Sequence, residues 1–150
     1  MKITDLTIES INHIVDNLWE RGRRELEVFG TEVEDFRAYC MKKAGQPWTM
    51  VFCDDDMAPC VMVILQPLGE MKWDIVSQAT EEGFAKIWRP LARFLKQFSD
   101  RIIEDDPSWV FQGRSVQTHE RTPEWMSLLG FTLNSVDGDI KTYIKKAVTV

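Results

Sequence analysis

Apolar positions recur along the chain at two different periods, which divide it into helices and strands. After a short strand in MKITDL, apolar residues return at steps of three and four, as on one face of a helix: Ile8, Ile11, Val15, Leu18 and Trp19. Thr7 precedes this face and predicts its N-cap. Gly22 predicts a break or kink in the helical segment, and Gly30 ends it.

Local sequence signals also predict the next helix and the change from helices to strands. Thr31 and Glu34 form a T-x-x-E pattern, which predicts a capping box, and Gly45 ends the helix that follows. WTMVFC and CVMVILQ are short, β-rich runs joined by DDDMAP, so they predict a hairpin. MKWDIVSQAT predicts a third strand.

The second half of the chain alternates between the two periods. A helical pattern returns at Thr80, and Pro90 is either a kink in this helix or its first position. SWVFQGRSVQ predicts a strand. Thr122 and Gly130 then predict the cap and the end of a last helix. Asp137-Gly138 predicts a hairpin between two final strands.

This order of elements predicts an α+β or mixed α/β fold with a central, mostly antiparallel sheet and helices on its faces. A strand, a long helix and a strand between residues 71 and 117 form a right-handed crossover, which makes that pair of strands parallel. The 150 residues contain no linker, so we expect one domain over 1–150.

Composition narrows the classes of partner and compartment. A net charge of −6 argues against a broad nucleic-acid surface, and no apolar run is long enough to span a membrane. The N-terminus lacks the pattern of a secretory signal. Cys40, Cys53 and Cys60 are odd in number and form no CxxC pair, so we expect reduced thiols and a cytoplasmic location; a Cys53–Cys60 disulfide across the hairpin is the alternative.

The element order, with Leu129-Gly130-Phe131 after the last helix, resembles the GNAT family (GCN5-related N-acetyltransferases). The resemblance implies that Met71 to Thr80 is the strand that feeds the loop and helix, up to Glu104, that hold the diphosphate of acetyl-CoA. Ser108 to Gln117 would be a strand that splays from its neighbour to admit the pantetheine arm, and Pro123 to Phe131 would be the helix with the Gly-Phe ending. Acetyl-CoA is the cofactor implied.

The chain departs from the family's pattern at two places. The family's loop reads Q/R-x-x-G-x-G/A, so that backbone N–H groups approach the diphosphate. This chain reads QATEEGFAKIW, in which Gln78 and Gly83 are present at the wrong spacing and the second glycine is missing. Glu81 and Glu82 stand where the anion would bind. Many members also have a tyrosine, four residues before the Gly of Gly-Phe, that protonates the leaving thiolate. Met126 stands there and cannot donate a proton.

Basic residues on the long helix are candidates for an atypical mode of cofactor binding. Lys86, Arg89, Arg93 and Lys96 recur at steps of three and four. Together with Gln78 and Gly83, the first three are the predicted cofactor-binding residues, because side-chain cations can replace backbone amides as phosphate donors. The alternative is a solvated face opposite the apolar one.

Three further patterns in the sequence are candidates for chemistry or binding. His119 precedes the last helix and is the candidate catalytic base; the alternative is a surface or capping histidine. Asp54, Asp55 and Asp56 more plausibly form a polar hairpin tip than a cation site, because no EF-hand spacing follows, so no metal is predicted. Arg21, Arg23 and Arg24 are either a site for an acidic partner or are paired with neighbouring glutamates.

Two functions follow as hypotheses. The first is an acetyl-CoA-dependent N-acetyltransferase with an atypical or degraded cofactor loop. The second is a non-catalytic GNAT-like binding or assembly protein, because the chain also resembles small GNAT-like proteins of tailed phages, some of them internal virion components. In that case we expect a protein partner or larger assembly, no nucleic acid, and a location in the host cytoplasm or the virion. Any exposed residue among the six tryptophans would mark the partner surface.

Overall fold

The computed structural model describes residues 1–116 and 121–148. His119, the predicted base, and the end of the predicted strand at Gln117 lie outside these residues. The described elements follow in the order β1 (Lys2–Thr4), α1 (Ile8–Asp16), α2 (Glu20–Val28), α3 (Val33–Lys43), β2 (Thr49–Cys53), β3 (Pro59–Pro67), β4 (Lys72–Ala79), α4 (Glu81–Asp105), β5 (Val110–Val116), α5 (Thr122–Leu128), β6 (Thr132–Asp137) and β7 (Ile140–Lys145).

Within the described residues the strands form a seven-stranded sheet in the order β1-β2-β3-β4-β5-β7-β6. Strands β4 and β5 are parallel, with partners from Lys72 and Val110 to Ile75 and Gly113. The β1–β2, β2–β3, β5–β7 and β6–β7 pairs are antiparallel. The predicted mixed α+β class, the two hairpins and the parallel crossover pair are therefore confirmed.

The residues group into two compact units. The first contains 1–64 and 76–88, and the second contains 65–75 and 89–150. The core of the first unit gathers buried side chains from its helices and strands, among them Ile11, Ile14, Phe36, Val51 and Met62. Cys40, Cys53 and Cys60 are buried free thiols in this unit, and burial raises the pKa of Cys40 to about 12. Cys40 is consequently a protonated packing residue at neutral pH.

Helix α1 begins at the predicted cap. The Thr7 hydroxyl accepts a hydrogen bond from the Ser10 N–H at 3.2 Å, and the Ser10 hydroxyl accepts one from the Thr7 N–H at 2.9 Å. The predicted break at Gly22 is wrong, because Gly22 lies inside α2 and the chain leaves the helix at 17–19. There the Trp19 N–H donates to the Ala79 carbonyl at 3.1 Å, a tertiary contact that interrupts the helical period.

The predicted capping box at Thr31 and Glu34 is also wrong. Helix α3 begins at Val33 after Glu32, and no side chain caps it. The Thr31 N–H instead donates to the Leu26 carbonyl at 2.8 Å, and Gly30 has a φ of +72°. This is the hydrogen-bond pattern with which a left-handed residue closes the end of a helix. Thr31 therefore belongs to the end of α2.

In helix α5 of the second unit, a threonine again has a role other than the predicted cap. Thr122 was predicted as its cap, which is wrong: Thr122 is the first helical residue, and its hydroxyl lies 3.3 Å from that of Ser115. Gly130, with a φ of +90°, ends the helix as predicted. The buried Lys145 ammonium donates to the Leu129 carbonyl at 2.9 Å and lies 2.7 Å from Asp100 Oδ1. A buried cation thus satisfies a carbonyl at the end of α5.

Two findings bear on other predictions. Pro90 lies inside α4 rather than at its first position, which settles the alternative left by the sequence. In the described part of the chain, no helix combines the length and apolar character that crossing a bilayer requires.

The two threonines give a matched test of the caps. Thr7→Ala removes a side-chain acceptor from the first turn of α1 and should lower the free energy of unfolding by about 1 kcal/mol. Thr31→Ala removes no capping bond and should change it by less than about 0.5 kcal/mol. Urea denaturation of both variants measures the difference. Equal losses would contradict the assignment of Thr31 to the end of α2.

Candidate functional site

The turn from β4 to α4 in the first unit is the place where the sequence predicted cofactor residues. Only Thr80 separates the end of β4 from the first residue of α4. Its N–H donates to the Cys60 carbonyl at 3.0 Å, and its hydroxyl accepts a hydrogen bond from the Gly83 N–H at 3.0 Å. Thr80 therefore fixes the turn to β3 and satisfies one of the amides that a helix leaves open at its N-terminus.

Gly83 lies against the backbone of β3. A Cβ atom at this position would stand 2.7 Å from the Cys60 Cα and 2.5 Å from the Thr80 Oγ1. These separations are shorter than real Cβ contacts, and the Cys60 Cα is a backbone atom that cannot move aside. Glycine is thus required here for the approach of α4 to β3. Its predicted part in binding a cofactor stays a prediction.

Gln78, one of the predicted cofactor residues, points into the first unit. Its side-chain carbonyl accepts a hydrogen bond from Trp19 Nε1 at 3.0 Å, and its amide donates to Glu25 Oε2 at 3.4 Å. Gly22 lies beneath this contact, because a Cβ there would meet the Gln78 and Trp19 side chains. The connection between α1 and α2 is thereby joined to the end of β4.

Glu25 is a candidate functional residue that the sequence reasoning missed. Burial raises the pKa of its carboxyl to about 7, although Arg21 Nε, 3.6 Å from Oε1, and the Gln78 amide favour the charged form. A carboxyl that titrates near neutral pH can act as a general base. The sequence shows only an i, i+4 pair of Arg21 and Glu25, since the burial comes partly from Gln78, far along the chain.

Lys86 partly balances the negative charge of the glutamates in the first turn of α4. Glu81 and Glu82 are exposed, as expected of carboxylates at the positive end of a helix. Lys86 Nζ lies 3.3 Å from Glu82 Oε1 and 3.7 Å from Asp54 Oδ2, and these neighbours raise its pKa. The structure therefore brings Gln78, Gly83 and Lys86 into the first unit, on both sides of the turn.

The other predicted site residues lie elsewhere. Arg89 and Arg93 are exposed on the part of α4 that belongs to the second unit, and their role stays a prediction. Met126, which stands where a tyrosine was expected, is buried: its Cε atom lies 2.8 Å from the place of a Cβ on Gly113. Met126 is thus a packing residue that fills the space left by the glycine of β5.

A second buried carboxyl lies in the second unit. The Asp74 side chain is 5% exposed, with Oδ2 3.2 Å from an Arg114 nitrogen and Oδ1 3.4 Å from the Gln112 amide. Burial raises its pKa, and Arg114 opposes the shift. Among residues 1–116 and 121–148, no group of three His, Cys, Asp or Glu residues is placed to hold a metal ion.

Comparison with solved structures identifies the architecture. A GNAT-family acetyltransferase from Bacillus anthracis superposes with a TM-score of 0.70 over 96% of this chain and 93% of its own, at 10% identity. PaiA N-acetyltransferase from Thermoplasma acidophilum, solved with coenzyme A, gives 0.62 over 97% and 98% at 12% identity. Spermidine N-acetyltransferase from Vibrio cholerae, solved with CoA and spermine, gives 0.63 over 97% and 94% at 11% identity.

The chain has the GNAT fold. No model of a protein family matches the sequence, and no curated protein matches it. The predicted mismatch in spacing is wrong: along the GNAT pattern Q/R-x-x-G-x-G/A, Gln78 and Gly83 hold the first and sixth positions. Glu81 holds the fourth position, where a glycine is expected. The departure from the pattern is therefore concentrated at one position.

The raised pKa of Glu25 predicts a pH-dependent stability. The folded state holds its proton up to about pH 7, whereas the unfolded chain releases it near 4.5. The folded state therefore binds more protons between these values, and this contribution is lost as the pH rises through 7. Relative to Glu25→Gln, the free energy of unfolding should fall by about 3 kcal/mol between about pH 4 and pH 8.

Urea denaturation at several pH values measures this difference. Glu27→Gln, at an exposed position on the same helix, is the matched control and should follow the wild type. If Glu25→Gln and Glu27→Gln give parallel pH profiles, the carboxyl of Glu25 does not carry the proton assigned to it.

Proposed function

We propose that this GNAT-fold chain transfers an acyl group from acetyl-CoA or a related acyl-CoA to an amine, with an atypical grip on the cofactor. The observation that carries the proposal is the Glu25 carboxyl, which is buried, titrates near pH 7 and is joined through Gln78 to the strand end from which α4 starts. The likeness to acetyltransferases solved with CoA supports the choice of cofactor.

The residues at the start of α4 offer a diphosphate both favourable and unfavourable groups. The helix is 25 residues long, so its N-terminus carries the positive end of a dipole, and Lys86 adds a cation one turn further on. Glu81 and Glu82 oppose an anion there, and the Gly83 N–H is already bonded to Thr80. These groups fit a diphosphate with reduced affinity.

Glu25 would accept the proton that the acceptor amine releases. Its side chain is 12% exposed, which leaves an edge for an amine to approach, and Arg21 stabilises the carboxylate form. When bound, acetyl-CoA would supply the thioester, whose acyl carbon bonds to the amine nitrogen as its C–S bond breaks. Met126 has no proton to give the leaving thiolate, so that proton would come from water. His119 stays a second candidate for the base.

Removing a carboxylate from the first turn should strengthen cofactor binding. Glu81→Gln should lower the dissociation constant for acetyl-CoA about two- to fivefold, because one repulsive charge is lost. Glu104→Gln, at the other end of the same helix, is the control. Isothermal titration calorimetry at low and high salt measures both, and the gain should shrink as salt rises. Equal effects of the two variants, or no binding at millimolar acetyl-CoA, would contradict the proposed grip.

Turnover should depend on Glu25. With acetyl-CoA and a panel of polyamines and peptide amines, thiol release should rise with pH through about 7, as the Glu25 carboxyl loses its proton. Glu25→Gln should lower kcat about 10²–10⁴-fold without changing acetyl-CoA affinity. Glu27→Gln should retain activity. Full activity of Glu25→Gln on an amine that the wild type accepts would remove Glu25 from the mechanism.

The second candidate is a non-catalytic binding or assembly role, the alternative function that the sequence left open. It is favoured by the Thr80 hydroxyl, which occupies the Gly83 N–H, and by Met126, which is buried where a proton donor was expected. Absence of any acetyl-CoA binding in the calorimetric titration, together with co-purification in a larger particle, would select this role over catalysis.

A further inference from the structure

The Arg21 side chain is held by two groups of different chemistry in the first unit. Its guanidinium carbon lies 5.4 Å from the centre of the Trp19 ring, which is within the range of a cation–π contact. Its Nε atom lies 3.6 Å from Oε1 of Glu25, a side chain that is only 12% exposed. An aromatic ring beside a carboxylate with little exposure is an environment that favours organic cations. Arg21 therefore occupies a place with the chemistry of a cation-binding site.

The ring and the carboxylate around Arg21 are fixed by contacts that do not involve Arg21. Trp19 is bonded to β4 through its main-chain N–H and to the Gln78 side chain through Nε1. Its ring also packs against that of Phe84, with the two centroids 5.0 Å apart. The Gln78 amide in turn donates to the carboxylate of Glu25. The site would consequently keep its shape if the Arg21 side chain moved away.

Arg21 is the movable member of this arrangement. Its side chain is 25% exposed, so it reaches the site from the surface of α2. A long, flexible side chain loses rotamer freedom when it is held in one place, and this loss offsets part of the attraction to the ring and the carboxylate. A cation of another molecule that offers the same charge competes with it directly.

We propose that Arg21 fills a cation site formed by Trp19 and Glu25, and that a guanidinium or alkylammonium group of another molecule binds there when Arg21 moves away. In the acyl transfer proposed above, on which this role of the site rests, the occupant is the acceptor. Arg21 then blocks access to Glu25 until an acceptor displaces it. Cationic amines are the preferred acceptors, because a neutral amine cannot replace the charge of the guanidinium.

Arg21→Ala tests the site without any turnover. The side-chain atoms that this substitution removes correspond to N-ethylguanidinium, which should bind the variant at about pH 8.5. Its dissociation constant should be about tenfold or more below that for the wild type, in which Arg21 occupies the site for most of the time. Isothermal titration calorimetry measures both values. Arg24→Ala, at an exposed arginine of the same helix, is the matched control and should behave as the wild type.

Two further controls show whether charge is what the site recognises. N-ethylurea has a similar shape without the charge and should not bind Arg21→Ala. The double variant with Glu25→Gln should lose the binding of N-ethylguanidinium. Equal affinities of the wild type and Arg21→Ala, binding of N-ethylurea, or binding retained in the double variant would each overturn the proposal.

The pH dependence of this binding gives a readout that a purely structural arginine would not change. Protonation of Glu25 removes the carboxylate, so binding to Arg21→Ala should weaken as the pH falls. Arg21 lowers the pKa of Glu25 by its charge, and the Gln78 amide from β4 lowers it by a hydrogen bond. The midpoint in Arg21→Ala should therefore lie above about 7, and a midpoint near the unperturbed value of 4.5 contradicts the site.

Circular dichroism shows whether Arg21→Ala folds. If it does not fold alone, N-ethylguanidinium should restore the spectrum of the wild type and N-ethylurea should not, because binding to the native state stabilises it. Failure of N-ethylguanidinium to restore the fold overturns the proposal.

Kinetics separate this proposal from that of acyl transfer. A chain that transfers no acyl group, but whose Arg21→Ala variant binds N-ethylguanidinium as described, retains the cation site and loses only the proposed reaction. If the wild type does acylate spermidine, Arg21→Ala should lower KM for spermidine about tenfold, because the site no longer has to be vacated. An unchanged KM in an active enzyme overturns the blocking role of Arg21 and leaves the reaction in place.

Discussion

The hydrogen bond between Trp19 Nε1 and the Gln78 side chain is the constraint on which the candidate site depends. With the bond from the Trp19 N–H to the Ala79 carbonyl, it holds the connection between α1 and α2 against the end of β4. Gly22 leaves the space that this contact needs. The Gln78 amide points towards α2 and donates a hydrogen bond to Glu25. The Glu25 carboxyl is buried where it meets Gln78, and this burial raises its pKa.

The same turn explains why the start of α4 differs from the GNAT pattern. A helix N-terminus has a fixed number of open amides, which a protein can satisfy with its own groups or reserve for an anion. Here the Thr80 hydroxyl takes the Gly83 N–H, and Glu81 adds a negative charge at the same end. Both stabilise α4 in the absence of a ligand, and both compete with a diphosphate. Stability of the helix and affinity for the cofactor are therefore opposed at this turn.

The fold was predictable because its signals are local. Asp137-Gly138 predicts its hairpin from two residues. The strand–helix–strand order predicts the parallel pair, because the crossover helix returns the chain to the same end of the sheet. The predictions of caps at Thr31 and Thr122 were wrong because both threonines have other partners. The Thr31 N–H closes the end of α2, and the Thr122 hydroxyl contacts that of Ser115. Glu25 was missed for a related reason: its environment depends on Gln78, 53 residues away in the sequence. A contact between residues so far apart in the sequence produces no periodic pattern from which it could be predicted.

Gly83 shows how a pattern can match for a different physical reason. A glycine in a phosphate-binding turn lets an anion approach the backbone, and a glycine between packed elements lets another backbone approach. Both requirements exclude a side chain, so the residue type alone does not separate them. Here the Cys60 backbone, 2.7 Å from the place of a Cβ, is sufficient to require glycine. Acyl transfer by this chain would therefore depend on the charged groups around the turn: Glu25 and Lys86 favour it, and Glu81 opposes it.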